Sequence, residues 1–125
     1  MGASDFALQS YTYDDLPPGQ TDPELKFFSI DHDRAYIIPP LRQSLVFNPT
    51  LKIIGSPWSP PGWMKTSGST IEGTLLPSAF APLAKYFVKY VQTYEAAGVP
   101  VFAVTPQKGA AQYSERLSRH GNVSG

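Results

Sequence analysis

The sequence predicts an α/β fold built from parallel strand–helix units, and three observations carry that expectation. Residues 50–55, Thr50-Leu51-Lys52-Ile53-Ile54-Gly55, form an apolar, β-branched run too short for a helix and bounded by turn residues, as a buried parallel strand is. Residues 99–104 repeat that pattern, headed by Pro100 and ended by Thr105-Pro106-Gln107. Between the two lies one long amphipathic segment, residues 79–97, where Leu83, Phe87, Tyr90, Val91 and Tyr94 recur at steps of three and four. The order strand, helix, strand, helix, strand indicates βα units with right-handed crossovers.

The elements follow in order along the chain. Residues 6–13 alternate loosely and are rich in aromatic and β-favouring types until Asp14-Asp15-Leu16-Pro17-Pro18-Gly19 stops them, which predicts a short strand end and a loop. Residues 20–40 are polar and punctuated by proline, an excursion with a small apolar knot at Leu25, Phe27, Phe28 and Ile30. Pro39-Pro40 then opens a short helix carrying Leu41, Leu45 and Val46, because proline is tolerated in a first turn whose N–H groups need no partner. That helix should end near Asn48-Pro49. After the first strand comes a proline-stiffened loop, Ser56-Pro57-Trp58-Ser59-Pro60-Pro61-Gly62-Trp63-Met64-Lys65. The long helix closes at Gly98, a residue suited to a left-handed C-terminal cap.

Composition narrows the class of protein. The 125 residues are about one domain in length, and 42% hydrophobic content is ample for a core, while 13 prolines and 10 glycines imply many turns and long loops. Ten basic side chains balance ten acidic ones, so charge gives no reason to expect nucleic acid or an anionic membrane as partner. Cysteine is absent, which excludes disulfides, thiolate metal sites and thiol nucleophiles from these residues. No apolar run reaches the roughly 18 residues of a membrane span. Met1-Gly2-Ala3-Ser4-Asp5 lacks the basic-then-apolar order of a secretory signal, so the compartment stays open. His32 and His120 lie in polar stretches with no ligand spacing, and neither a metal nor another cofactor is expected. Tyr86, Tyr90 and Tyr94, at steps of four, read as core packing rather than ligand contacts.

The run from Lys52 through Gly55-Ser56-Pro57-Trp58-Ser59-Pro60-Pro61-Gly62-Trp63-Met64-Lys65-Thr66 resembles the strand and loop of glycoside hydrolase family 30, best known for its glucosylceramidases. Ala84-Lys85-Tyr86-Phe87-Val88-Lys89-Tyr90, Val101-Phe102-Ala103-Val104-Thr105-Pro106-Gln107, Ser4-Asp5-Phe6 and Tyr11-Thr12-Tyr13 resemble the same family in one register, from residue 2 to residue 107. The resemblance implies an α/β, partial (β/α)8 TIM barrel spanning about strands 2 to 4, with binding residues on loops past the strand ends. It divides the chain into a barrel piece, residues 1–107, and a divergent tail expected to lack fixed order, residues 108–125.

The resemblance also implies an activity: a retaining hydrolase of β-glucosidic bonds, with a β-glucoside or glucosylceramide as substrate. A β-1,6-glucanase, a xylanase, or a non-catalytic sugar-binding product are the alternatives. Members of the family are typically secreted or lysosomal. Retention requires two carboxyl groups about 5 Å apart, one to protonate the leaving oxygen and one to attack the anomeric carbon. The family carries its acid/base glutamate in an Asn-Glu-Pro triplet after Thr-Pro-Gln, but here Thr105-Pro106-Gln107 precedes Lys108-Gly109-Ala110. No catalytic residue is therefore assigned, and the isolated chain is expected to be inactive. Lys-Gly-Ala can be written AAA GGA GCC, which with a G following encodes Glu-Pro from the second base of the glycine codon, so a frame shift is one hypothesis for the change and a spliced end another.

For substrate binding the resemblance singles out Asp5, Trp63 and Trp58. Trp63 matches the tryptophan lining the glucose pocket, and both indoles could stack on the C–H face of a sugar or pack the barrel mouth. Asp5 matches an aspartate that accepts hydrogen bonds from sugar hydroxyls, although an aspartate at a strand end also serves as a turn residue. Lys65 reads as a solvated surface charge. Asn122-Val123-Ser124 has the short N-glycosylation pattern. A piece with about three strands leaves outer edges unpaired, which invites self-association.

Overall fold

A computed structural model describes residues 11–57 and 59–105. Two parallel strands, β1 (Ile53–Gly55) and β2 (Val101–Val104), lie side by side, joined by a crossover through one long helix, α3 (Phe80–Ala96). Ile53 pairs with Val101, Ile54 with Ala103 and Gly55 with Val104, with an irregularity between Ile53 and Ile54. The Thr105 N–H donates to the Gly55 carbonyl at 2.9 Å, and the Thr105 hydroxyl donates to Ser56 Oγ at 2.8 Å. The carboxyl ends of both strands are thus tied together where the loops begin.

The predicted helices are present. α2 (Ile38–Phe47) carries its prolines in the first turn and ends at Asn48, whose N–H bonds Ser44 and whose side chain accepts from Thr50. α3 begins one residue after the expected start, behind a 3-10 turn at Pro77–Ala79. It buries Tyr86, Tyr90 and Tyr94, with Leu83, Phe87 and Val91 packed beside them. These positions share a face because residues four apart stand above one another on a helix. The C-terminal cap is a Schellman motif: Gly98, at φ +91°, donates to Glu95, and Val99 donates to Tyr94. Val99 and Tyr94 are both fully buried, supplying the apolar contact that accompanies this cap.

Several expectations are corrected. Residues 20–40 are not all loop, because α1 (Asp31–Tyr36) lies within them, with Asp31 and Asp33 at the end where a helix favours negative charge. In the apolar knot, Leu25 and Ile30 are buried but Phe27 is 68% exposed. Residues 11–13 are not strand; the Tyr13 N–H donates to the Tyr86 hydroxyl and its carbonyl accepts from Ser29, which uses the groups a ladder would need. Residues 6–10 lie outside the described set. The strands are shorter than their apolar runs: Leu51 and Lys52 precede β1, and Val99 belongs to the cap of α3. Ile54 is 52% and Phe102 63% exposed, whereas both runs were expected to be buried. Among the described residues the sheet has two strands, and most of the third one expected, at residues 6–13, lies outside them.

The core joins Tyr13, Leu25, Ile30, Ile38, Ile53 and Met64 to the tyrosine stripe of α3. Tyr13 lies among Tyr86, Tyr90 and Tyr94 at ring-centroid distances of 6.0, 5.6 and 6.4 Å, within the range where aromatic pairs attract. Helix and sheet pack tightly at Gly55, where any side chain would meet the Tyr90 ring.

Candidate sugar-binding rim

The loop after β1 is shaped by its prolines and by a 3-10 turn at Gly62–Met64. Met64 is fully buried and anchors the turn, while an isolated antiparallel bridge pairs Lys65 with Leu75. Thr66 N–H to Thr74 carbonyl (2.7 Å) and Leu76 N–H to Met64 carbonyl (2.8 Å) complete a narrow ribbon. Gly62 has to be glycine, since a Cβ there would stand 2.7 Å from the Gly68 carbonyl oxygen. Lys65 is not the solvated charge expected. Its ammonium donates to the Thr70 carbonyl at 3.0 Å and to Ser59 Oγ at 3.4 Å, and burial lowers its pKa.

Of the three residues singled out for sugar binding, Asp5 and Trp58 lie outside the described residues. Trp63 is half-buried against the core, and its indole N–H donates to the Asp14 backbone carbonyl at 3.0 Å. This bond joins the loop after β1 to the N-terminal segment and fixes the ring in one orientation.

Around that segment the structure buries three aspartates that sequence reasoning did not single out. Asp33, on α1, accepts hydrogen bonds from the Tyr11, Tyr13 and Tyr94 hydroxyls, Tyr13 at 2.5 Å. Burial, reinforced by Asp33, raises the pKa of Tyr11 and Tyr94, and brings Tyr90 up to about 12. These phenols stay protonated and remain donors at any physiological pH. Asp14 and Asp22 are the other two, 1% and 5% exposed. Burial, followed by the neighbouring Asp22 and Asp15, pushes the Asp14 carboxyl up to about 7. Asp22 is moved the other way: burial alone would raise its pKa, but N–H donors from Phe27 and Lys26 and the contact with Asp14 outweigh it. Asp14, Asp22 and Asp33 stand in runs that read as turn and surface sequence, and no local signal marks their burial. Among the described residues no group of three or more histidines and acids is placed to hold a metal. No helix among them is long and apolar enough to cross a membrane.

A parallel strand pair with a helical crossover, its loops gathered at the carboxyl ends of the strands, is the unit from which (β/α)8 barrels are built. The chain belongs to glycosyl hydrolase family 30, whose TIM-barrel domain model matches residues 1–120. It is 40% identical to the endo-1,6-β-D-glucanase of Neurospora crassa over 86% of this chain and 23% of that protein. It is 37% identical to putative glucosylceramidase 4 of Caenorhabditis elegans and 32% identical to lysosomal acid glucosylceramidase of Mus musculus, again over 86% of this chain and 21% and 22% of those proteins. Among solved structures, SrfJ from Salmonella typhimurium superposes with a TM-score of 0.76 at 32% identity, covering 86% of this chain and 24% of that one. The endo-β1,6-glucanase BT3312 superposes at 0.72 with 36% identity and the same coverage. The chain spans about a quarter of the length of these relatives.

Proposed function

We propose that this chain holds part of the sugar-binding rim of a retaining glycosidase barrel that cleaves β-linked glucosides, and that the 125 residues alone do not turn over. Membership of glycosyl hydrolase family 30 is the observation that carries the reading. The proposed division of labour places Asp5 as a hydroxyl acceptor and Trp58 and Trp63 as stacking surfaces. In support, the Trp63 ring is held by the Asp14 carbonyl, so it reaches a sugar without losing rotamer freedom. Inactivity of the chain follows from Lys108-Gly109-Ala110 standing where the family has Asn-Glu-Pro. General acid–base assistance alone is worth about two to four powers of ten in rate.

Glucosylceramide, as the notable substrate of the family, is one proposed target. A second, β-1,6-glucan, is favoured by the 40% identity to the Neurospora glucanase and by the fit to BT3312. Assaying the purified chain on an aryl β-glucoside tests the proposed inactivity of the 125 residues; turnover above a buffer blank that survives further purification refutes it. Assays of a full-length parent on glucosylceramide, gentio-oligosaccharides and glucuronoxylan test the proposed β-glucosidase activity and its substrate. In that parent, Trp63→Ala should weaken glucoside binding by about 1–3 kcal/mol, the worth of a buried aromatic contact. Unchanged KM and kcat would assign Trp63 to packing alone.

A further inference from the structure

The side chain of Asp14 has no place in the proposed sugar chemistry, yet it is among the most buried in the molecule. Both of its carboxyl oxygens are sealed from solvent and meet no N–H or O–H donor. The donors around it are committed elsewhere. The Lys89 ammonium, from α3, donates to the Leu25 carbonyl at 3.0 Å, and the Trp63 indole takes the Asp14 backbone oxygen. The Tyr86 hydroxyl accepts from the Tyr13 N–H, and Asp15 accepts from Thr12 and has no donor to offer. The side chain that meets Asp14 is another acid, Asp22. Asp22 already accepts the Lys26 and Phe27 N–H groups at 3.0 and 2.9 Å, so it is supported as the ionised partner. An oxygen-to-oxygen contact between two acids binds only when one of them holds a proton, because an ionised carboxylate is an acceptor only.

We propose that Asp14 and Asp22 form a proton-sharing carboxyl pair that latches residues 11–15 to residues 22–30, making this junction, and the seat of Trp63 upon it, sensitive to pH. Asp14 is the acid that keeps the proton and Asp22 the carboxylate that accepts it. The charged and titratable groups facing the pair come from each element packed on it: Asp15 from the same segment, Lys26 from the loop, Lys89 and Tyr86 from α3. Only Lys89 among them opposes protonation of Asp14.

The sign follows from linkage. Asp14 has a folded pKa of about 7, raised above the roughly 3.9 of an unfolded aspartate. The latch is therefore at full strength below about pH 4 and weakens as pH rises towards the folded value. One retained proton changes the folding equilibrium by about tenfold per pH unit in that window. Asp22, whose pKa is lowered, acts only at more acid pH.

Urea unfolding of the full chain, at fixed low concentration and between about pH 5 and about pH 8, tests the proposal. The midpoint should fall as pH rises, and Asp14→Asn, which donates to Asp22 without titrating, should flatten that dependence. Equal slopes in the two proteins overturn it. If D14N fails to fold, infrared difference spectra of the wild-type chain with isotope-labelled aspartate decide: a protonated-carboxyl band near neutral pH that vanishes on further alkalinisation supports the latch, and its absence sinks it.

Discussion

Replacing Gly55 by alanine tests how tightly the helix layer is pressed onto the sheet. A Cβ at this position would lie 2.5 Å from the Tyr90 hydroxyl oxygen and 2.8 Å from Cε1, both inside van der Waals contact. The Tyr90 ring is not free to step aside. It is buried, stacked on Tyr13 at 5.6 Å and edge-on to Tyr94 at 4.8 Å, and both neighbours are held through the Asp33 hydrogen bonds. Overpacking of this kind costs about 1–3 kcal/mol, and the upper half of that range is expected because the obstructing ring is itself clamped. The Tyr90 hydroxyl is buried without a partner, so Tyr90→Phe removes an orphaned polar group and should be neutral or stabilising by up to about 1 kcal/mol. Combining the two changes removes the 2.5 Å contact but leaves the ring carbon, so the double variant should recover part of the loss. Urea unfolding followed by circular dichroism gives all corners of the cycle. A Gly55→Ala protein within about 0.5 kcal/mol of wild type, or zero coupling between the two sites, would refute the packing argument.

Other expectations are open to equally direct measurement. Tyr94→Phe deletes one of the hydroxyl donors to Asp33 while Tyr11 and Tyr13 remain, and should destabilise by about 1.5–3 kcal/mol, as for hydrogen bonds to charged groups; a silent substitution in urea melts would show that the cluster is dispensable. Gly98→Ala forces an L-residue to φ +91°, with Arg42 Nε 3.1 Å from the new methyl, and should cost about 1–2 kcal/mol in the same assay; no change would mean the cap can rearrange. The exposed Ile54 and Phe102, on a sheet of two strands among the described residues, should make the chain self-associate, seen as a mass that rises with concentration in sedimentation and falls for Phe102→Lys. A monomer at all concentrations, indifferent to that substitution, would show that the edges are protected.

The period of the apolar residues was enough to locate α3 to within a residue and α2 nearly as well, because helical spacing is a local property that a few turns of sequence display. Gly98 was legible for the same reason: a left-handed cap needs glycine whatever surrounds it. Strand positions were legible too, but not their lengths. A strand is defined by its neighbour, and only where β1 meets β2 do the apolar runs become ladder. α1 was hidden because a short polar helix has almost no apolar period; it is held by Ile30 and by the buried Asp33, which meets residues 20 to 61 positions away. The candidate site divides along the same line. The tryptophans and Asp5 stand in motifs that sequence alone displays. By contrast, the burial of Asp14, Asp22 and Asp33, and the bond that seats Trp63, arise from segments brought together by folding. Burial of a charge depends on what arrives from elsewhere in the chain, and no residue's own neighbours along the sequence record it.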